Sequence, residues 1–309
     1  MKGKSTDLLT AQDAAQLLNI NEKKVYALAQ EGKIPGTKVT GKWIFPRVEL
    51  ENYLRSKSQQ TIRRSFFESV INKKVILVCG SDDPVLCMAQ GCFHKEYPDY
   101  TLFSSSVGSG EGLRLLSEGF CHVAVCHLYD PDTEDFNFPF LHSYFEYPDA
   151  LTIVNLFYRC IGFVAKDHEV TSFADFVGRN LQFINRQKES GIRALVDHLI
   201  DTEGVQASDI KGFEDEAFTH LDVINRISSG RADVGIVTEL VARSSNLPFH
   251  KILEERFDMV VRKEIFFDRS IQAFVEFLKS RYYRDLLKEM EGYDYRDAGK
   301  IIYAKKING

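Results

Sequence analysis

Apolar positions near the start of the chain recur at helical spacing. Ala14, Ala15, Leu17 and Leu18 share one face of a predicted helix opened by Thr10, with Asp13 three residues later completing a capping box. After the turn LNIN, Asn21 is placed to cap a second helix that turns Val25, Leu28 and Ala29 inward, and Gly32 stands where a helix closes in the left-handed conformation. Two short helices joined by a tight turn make a helix-turn-helix. IPGTKV and KWIF then read as a β-hairpin joined through Thr40-Gly41, Pro46 ends the second strand, and RVELENYLRS opens a third helix.

The segment RSKSQQTIRRSFFESVINKK is polar, then basic and aromatic, and is expected to be a helical connector. From Val75 the pattern changes to short apolar runs alternating with helical ones. VILVC, a helix around 84–95, TLFSSS, the helix EGLRLLSEG and HVAVCHL come first; FVAK, LQFIN, a long helix, ADVGIV and DMVV follow. Such alternation predicts parallel sheets covered on both faces, and its length suits two α/β lobes rather than one. The stretch LQFINRQKESGIRALVD shows the unit in miniature, as a strand, a polar loop with one glycine, and the first turns of a helix. The Ser190-Gly191 pair there offers free backbone N–H groups at the positive end of a helix dipole.

Composition adds one asymmetry. The chain of 309 residues has a net charge of −5, but residues 1–74 hold 14 Lys/Arg against 7 Asp/Glu, a net of +7, and the remainder 25 against 37, a net of −12. A basic head on an acidic body points to a polyanion partner for the head alone. The start MKGKSTDLL lacks the apolar core of a signal peptide, and no run approaches the ~20 apolar residues of a membrane span, so a cytoplasmic protein with no membrane partner is expected. Six cysteines, Cys79, Cys87, Cys92, Cys121, Cys126 and Cys160, include no C-x-x-C pair and read as buried reduced thiols. Cys87, Cys92 and His94 match no common zinc spacing, so no metal and no cofactor are expected. Gly108, Gly110 and Gly112 do not form G-x-G-x-x-G and no G-K-[ST] occurs, which argues against nucleotide phosphate loops.

With helix, turn, helix and EGKIPGTKVTGKWIFPRVELENYL in place, residues 7–57 resemble the excisionase or MerR-type winged helix-turn-helix. That resemblance implies a second helix in the major groove and a hairpin wing on the backbone of double-stranded DNA, with Lys23, Lys24, Tyr26, Lys38, Lys42 and Arg47 as contacts; Trp43 reads as hairpin packing. SSSVGSGEGLRLLSEGFCHVAVCHL, NRQKESGIRALVDHLI and FTHLDVINRISSGRADVGI, in that order, are similar to the periplasmic-binding-protein-like domains of the molybdate and tungstate type that are found fused to such heads. The implied fold class is an N-terminal winged helix-turn-helix, residues 1–57, a helical connector, 58–73, and an α/β two-lobed type II periplasmic-binding-protein-like domain, 74–309.

Ligands of open α/β sheets collect at the carboxyl ends of the strands. The candidates there are Ser81, Asp82, Ser109, His127, Arg186, Gln187, Ser190, Arg193, Thr219 and Glu239. Arg193 would clamp an anion, or else pair with Glu189 at the surface; the serines would donate hydroxyls or simply cap helices; His127 would touch ligand or end its strand; Thr219 and His220 would start a helix near the cleft. Where the family has G-S-G-T-R, this chain has Glu189-Ser190-Gly191-Ile192-Arg193, so a carboxylate enters and a hydroxyl leaves. Like-charge repulsion then disfavours a bare tetrahedral oxyanion and favours a zwitterionic, neutral or cation-bearing ligand. The reading is a ligand-responsive transcription regulator without catalysis, a homodimer in which lobe closure on a small polar ligand resets operator affinity. Its rivals are an architectural DNA binder with a degenerate sensor, and an enzyme using His127 with a cysteine or carboxylate in the cleft.

Overall fold

The computed structural model describes residues 7–188 and 190–303, the side chains of Gln60 and Phe176 excepted. The chain divides into two compact units, 1–66 and 67–309. In the first, β1 (Leu8–Leu9), α1 (Ala11–Leu18), α2 (Glu22–Gln30), β2 (Thr37–Val39) and β3 (Lys42–Pro46) precede α3 (Arg47–Asn72), and β3 lies between β1 and β2 in a small antiparallel sheet. Local chemistry accounts for these boundaries. The Thr10 hydroxyl accepts from Asp13 N at 3.2 Å while the Asp13 carboxylate accepts from Thr10 N at 3.0 Å, and Asn21 Oδ1 accepts from Lys24 N at 2.8 Å. Gly32, just past α2, has φ +67°, which a side chain would strain. Ala14, Ala15, Val25, Ala29, Phe45 and Leu50 close a small core under the hairpin. The third helix is longer than the expected RVELENYLRS, because the connector continues it without a break to Asn72.

The second unit continues with β4 (Val75–Gly80), α4 (Pro84–Glu96), β5 (Thr101–Ser106), α5 (Ser109–Ser117), β6 (Val123–Cys126), the short pair β7 (Tyr129–Asp130) and β8 (Asp135–Phe136), α6 (Leu141–Tyr144) and β9 (Leu151–Ala165). It goes on through α7 (Phe173–Val177), β10 (Phe183–Arg186), α8 (Gly191–Thr202), β11 (Glu216–Ala217), α9 (His220–Ser228), β12 (Val234–Thr238), α10 (Glu239–Ser244) and β13 (Phe249–Arg262). Last come α11 (Lys263–Phe266), α12 (Arg269–Lys279), α13 (Arg281–Lys288), β14 (Tyr293–Asp294) and β15 (Ile301–Ile302).

The order β11-β10-β12-β9-β13-β6-β4-β5 holds two parallel sets, β10 with β11 and β12, and β4 with β5 and β6. Between them β9 and β13 run antiparallel to each other along almost their full length, with register shifts at Lys251/Leu253 and Phe257/Asp258. The expectation of wholly parallel sheets is corrected here. FVAK and DMVV, read as separate short strands, are the ends of two long strands that pass from one lobe to the other. Because strand side chains alternate, each lobe has two cores. Val123 and Val125 face the core of α4, α12 and α13, while Ala124 and Cys126 face that of α5; across the hinge, Phe183 packs toward α8 and Ile184 toward α9. The cysteines are free but not uniformly buried: Cys121 and Cys126 are buried, Cys79, Cys92 and Cys160 half-buried, and Cys87 exposed. No helix among the described residues is long and apolar enough to cross a membrane.

Candidate functional site

The parallel strands of both lobes deliver their carboxyl ends to one place. After β4, Asp83 caps α4, its Oδ1 accepting from Val85 N at 2.7 Å and Leu86 N at 3.2 Å. After β5, Gly108 takes φ +96° and Ser109 begins α5; the Ser109 hydroxyl lies 2.8 Å from that of Ser81 and accepts from His127 N at 3.2 Å. In the other lobe, Ser190 Oγ accepts from Arg193 N at 3.1 Å to cap α8, and Thr219 Oγ1 accepts from Asp222 N at 3.0 Å to cap α9. The lobes touch here. A Cβ on Gly191 would stand 2.6 Å from His127 Cε1, and Asp82 Oδ2 accepts from His220 N at 3.4 Å. Only glycine lets the first turn of α8 approach the His127 ring this closely.

The hinge strands supply a group that sequence reasoning missed. Arg159 of β9 and Glu255 of β13 are register partners, with Arg159 Nε donating to Glu255 Oε1 at 2.5 Å. Arg159 Nη1 donates to Asp83 Oδ2, and that oxygen also accepts from Tyr293 OH at 2.8 Å. His127 Nδ1 lies 2.8 Å from Glu255 Oε2, its ring stacked on Phe257 at 5.4 Å, and the Arg159 guanidinium covers the same Phe257 ring at 4.6 Å. The signal available in the sequence was a charge inside an apolar run, Arg159 in LTIVNLFYRCIGFVA and Glu255 facing it from ILEERFDMVV. Buried charges of this kind persist only when paired.

Burial pushes the Glu255 carboxyl up, but Arg159 and His127 together hold it below its ordinary value. Burial raises Asp83, against the pull of Arg159 and the Tyr293 hydroxyl. Burial lowers His127, and it drives His220 well below the ordinary histidine value with help from Arg186 and Arg159. Both imidazoles are therefore neutral at pH 7, and the ionised Glu255 places the His127 proton on Nδ1.

Arg186 is the outlier. It is only 4% exposed, yet among the described residues no carboxylate lies within ion-pairing distance of it. Its Nε donates to Ala217 O at 3.1 Å and its Nη2 to Phe218 O at 2.8 Å. Burial pulls it down to about 10, opposed chiefly by the charge of Asp82. Arg159 Nη2 and His220 Nδ1 are buried without a hydrogen-bond partner among the described residues. Unmatched buried polar groups cost about 1–3 kcal/mol each, more when charged, so a cluster of them marks a place where a ligand's polar atoms belong.

Several expected site residues meet here: Ser81, Asp82, Ser109, His127, Arg186, Ser190 and Thr219, while Gln187, with its amide turned to donate, reaches Ala217 O at 2.9 Å. His220, expected only to start a helix, adds a buried ring to the cluster. Arg193 does not join them. Its guanidinium lies 4.3 Å over the Phe213 ring, with Asp197 at 3.2 Å, Glu216 at 3.8 Å and Glu214 at 3.9 Å. Glu239 pairs with Arg243 at 3.0 Å. Ile192 is in the core beneath α8, so a hydroxyl at that position would not face the cleft. Glu189 lies outside the described residues. Cys92 accepts from Tyr282 OH at 3.5 Å and His94 Nδ1 lies 2.8 Å from Tyr100 O; no group of three metal-ligating side chains occurs among the described residues.

On the head, Lys23, Lys24 and Tyr26 are exposed on α2, and Lys38 and Lys42 on the hairpin. Arg47 is half-buried and pairs with Glu51 at 3.4 Å, and Trp43 stacks on Phe45 at 6.2 Å, a packing role.

A model of the PBP superfamily domain matches residues 91–279, and one of a helix-turn-helix domain matches residues 8–58. The chain is 26% identical over 311 residues to the uncharacterized protein YvgK of Bacillus subtilis, covering 96% of this chain and 98% of that one. An ABC transporter substrate-binding protein with bound phosphate from Clostridium perfringens superposes with a TM-score of 0.55 at 14% identity, over 75% of this chain and 100% of its own. The regulatory domain of MetR, a LysR family regulator from N. meningitidis, superposes with a TM-score of 0.51 at 13% identity, over 71% and 97%. With two parallel α/β lobes on crossing hinge strands, and a family match over more than half of its length, the chain belongs to the PBP superfamily, its binding domain preceded by a helix-turn-helix domain.

Proposed function

We propose that this protein is a DNA-binding transcription regulator whose two-lobed domain senses a small polar ligand bearing at least one anionic group, held between the lobes by Arg186. The observation that carries the reading is Arg186 itself, a buried guanidinium without a counter-ion among the described residues, at the point where both lobes converge. Burying such a charge unpaired is costly, and a ligand carboxylate or similar group that accepts two hydrogen bonds relieves the cost. Binding that bridges the lobes favours the closed form by its differential affinity, and the change is read out as operator affinity. The exposed lysines of α2 and the hairpin suit phosphate contacts. A single head of this size binds DNA weakly, so the working species is a homodimer on a two-fold site. The same fold serves as the regulatory domain of the N. meningitidis regulator named above.

The test is a gel shift on the DNA upstream of the protein's own gene, comparing wild type with Arg186→Gln, alongside native mass spectrometry of the freshly purified chain. Expected are a copurifying small molecule lost in the variant, and an operator affinity in the variant fixed at one value. A variant that still responds to extracts of small molecules as wild type does would overturn the assignment of Arg186.

A further inference from the structure

The charges around Arg186 restrict the ligand further, and the restriction rests on the function proposed above. Among the described residues four buried charges around the site balance, Arg159 and Arg186 against Asp83 and Glu255, with both histidines neutral. Half-buried Asp82 then leaves the site with an excess of one negative charge. Among the described residues the Asp82 carboxylate accepts one hydrogen bond, the long 3.4 Å contact from His220 N across the cleft. Asp82 is also the carboxylate acting most strongly on Arg186, without being close enough to pair with it. An anionic and a cationic protein group thus act on one another where the lobes meet, more than 4.0 Å apart. A dianion would take the site from one excess negative charge to three, whereas a ligand carrying both signs leaves the balance as it is.

The third feature is apolar. Next to Asp82 and His220 a cavity of about 530 Å³ is lined by Pro84 and Met88 of α4, Leu221 of α9, Leu240 of α10, and Met290. That volume is within the ~300–1,000 Å³ range of small-molecule sites. Leu221 is 61% exposed and the neighbouring Phe218 65%, so apolar surface is left open at the mouth of an otherwise charged cleft.

We infer that the cleft takes a zwitterion of the α-amino-acid class with an apolar side chain, its carboxylate on Arg186, its ammonium on Asp82 and its side chain in the cavity beside them. His220 Nδ1, buried and without a partner among the described residues, is a second donor for the carboxylate when the proton of the neutral ring sits there. Discrimination then has three parts: a ligand lacking the ammonium leaves Asp82 unpaired, one lacking the carboxylate leaves Arg186 unpaired, and one lacking the side chain leaves the cavity wet.

Isothermal titration calorimetry of the full chain, stripped of any copurifying molecule, reads all three. The probes are L-leucine, L-phenylalanine, L-alanine, 4-methylpentanoate, 3-methylbutan-1-amine, phosphate and molybdate. Leucine or phenylalanine is expected to bind in the micromolar range. Removal of either charged group should weaken binding by about tenfold to a hundredfold, from the roughly 1–3 kcal/mol penalty of an unmatched buried partner. Asp82→Asn should weaken leucine and strengthen 4-methylpentanoate, whose carboxylate no longer meets an unpaired like charge, a pattern that general loss of structure would not produce. The inference is overturned if 4-methylpentanoate binds as well as leucine, if Asp82→Asn binds leucine as wild type does, or if no amino acid binds at millimolar concentration. Binding of phosphate or molybdate alone, lost in Arg186→Gln, would overturn the zwitterion while leaving the sensor function intact. No response of any probe to Arg186→Gln would remove both.

Discussion

Replacing Arg159 by Met tests whether the hinge depends on charge pairing. The substitution keeps an unbranched stem over Phe257 but removes the cation that bridges Asp83 and Glu255, which are themselves 1% and 3% exposed. Breaking a buried pair from one side typically costs about 3–5 kcal/mol, because the remaining charge stays desolvated. In a unit of this size about 1 kcal/mol shifts Tm by roughly 2–4 °C, so Tm should fall by roughly 6–20 °C. The pH dependence gives a second, signed readout. In the wild type, Arg159 and His127 hold the Glu255 carboxyl down against burial, so Glu255 contributes stability that is present above its unfolded value of about 4.3 and lost as pH falls through the folded one. Without Arg159, burial prevails at Glu255 and raises Asp83 further, so in the variant ionisation of these carboxyls costs stability as pH rises. The deficit should therefore widen from acid toward neutral pH. Adding Glu255→Gln to Arg159→Met should recover at least about 1 kcal/mol of it, since the stranded charge is gone. Differential scanning calorimetry of the three proteins at about pH 5 and about pH 8 measures both effects. A loss under about 1 kcal/mol, or one equal at the two pH values, would refute a hinge held by ionised partners.

Three further outcomes concern single sites. Lys23→Ala with Lys24→Ala should weaken operator binding and flatten the dependence of log K on log salt by about 0.9 for each phosphate no longer neutralised, measured by gel shift across a salt series; an unchanged slope would remove α2 from the DNA interface. Gly191→Ala should cost the closed form about 1–3 kcal/mol, because the new methyl meets a His127 ring fixed by Glu255 and Phe257, and small-angle scattering with and without a bound amino acid should show a more open molecule; the same compaction as wild type would contradict it. Arg193→Ala should destabilise its lobe by about 1–3 kcal/mol by removing the packing on Phe213 while leaving probe affinity unchanged, and a fall in affinity without a fall in Tm would return Arg193 to the ligand site.

Local interactions were legible in the sequence because they span three or four residues. The Thr10–Asp13 box, the Asn21 cap and the Gly32 stop depend on neighbours in the chain and form where the pattern places them. Alternating strand and helix periodicity likewise fixed which loops lie at strand ends, and so brought Ser81, Ser109, His127 and Arg186 into consideration together. What periodicity cannot carry is the partner of a side chain far away in sequence. Arg159 meets Glu255 only through the register of two antiparallel strands, which joins positions 96 residues apart. Arg186 and Arg193 share one strand-loop-helix unit, yet the tertiary structure sends one to the cleft and the other to Phe213 and three carboxylates. Ile192 differs: its spacing from Leu195, Val196 and Ile200 puts it on the apolar face of α8, so its side chain fills the core while Gly191 faces the other lobe. The chemistry of the loops was thus written locally, whereas the pairing of the charges buried beneath them was decided only when the two hinge strands met.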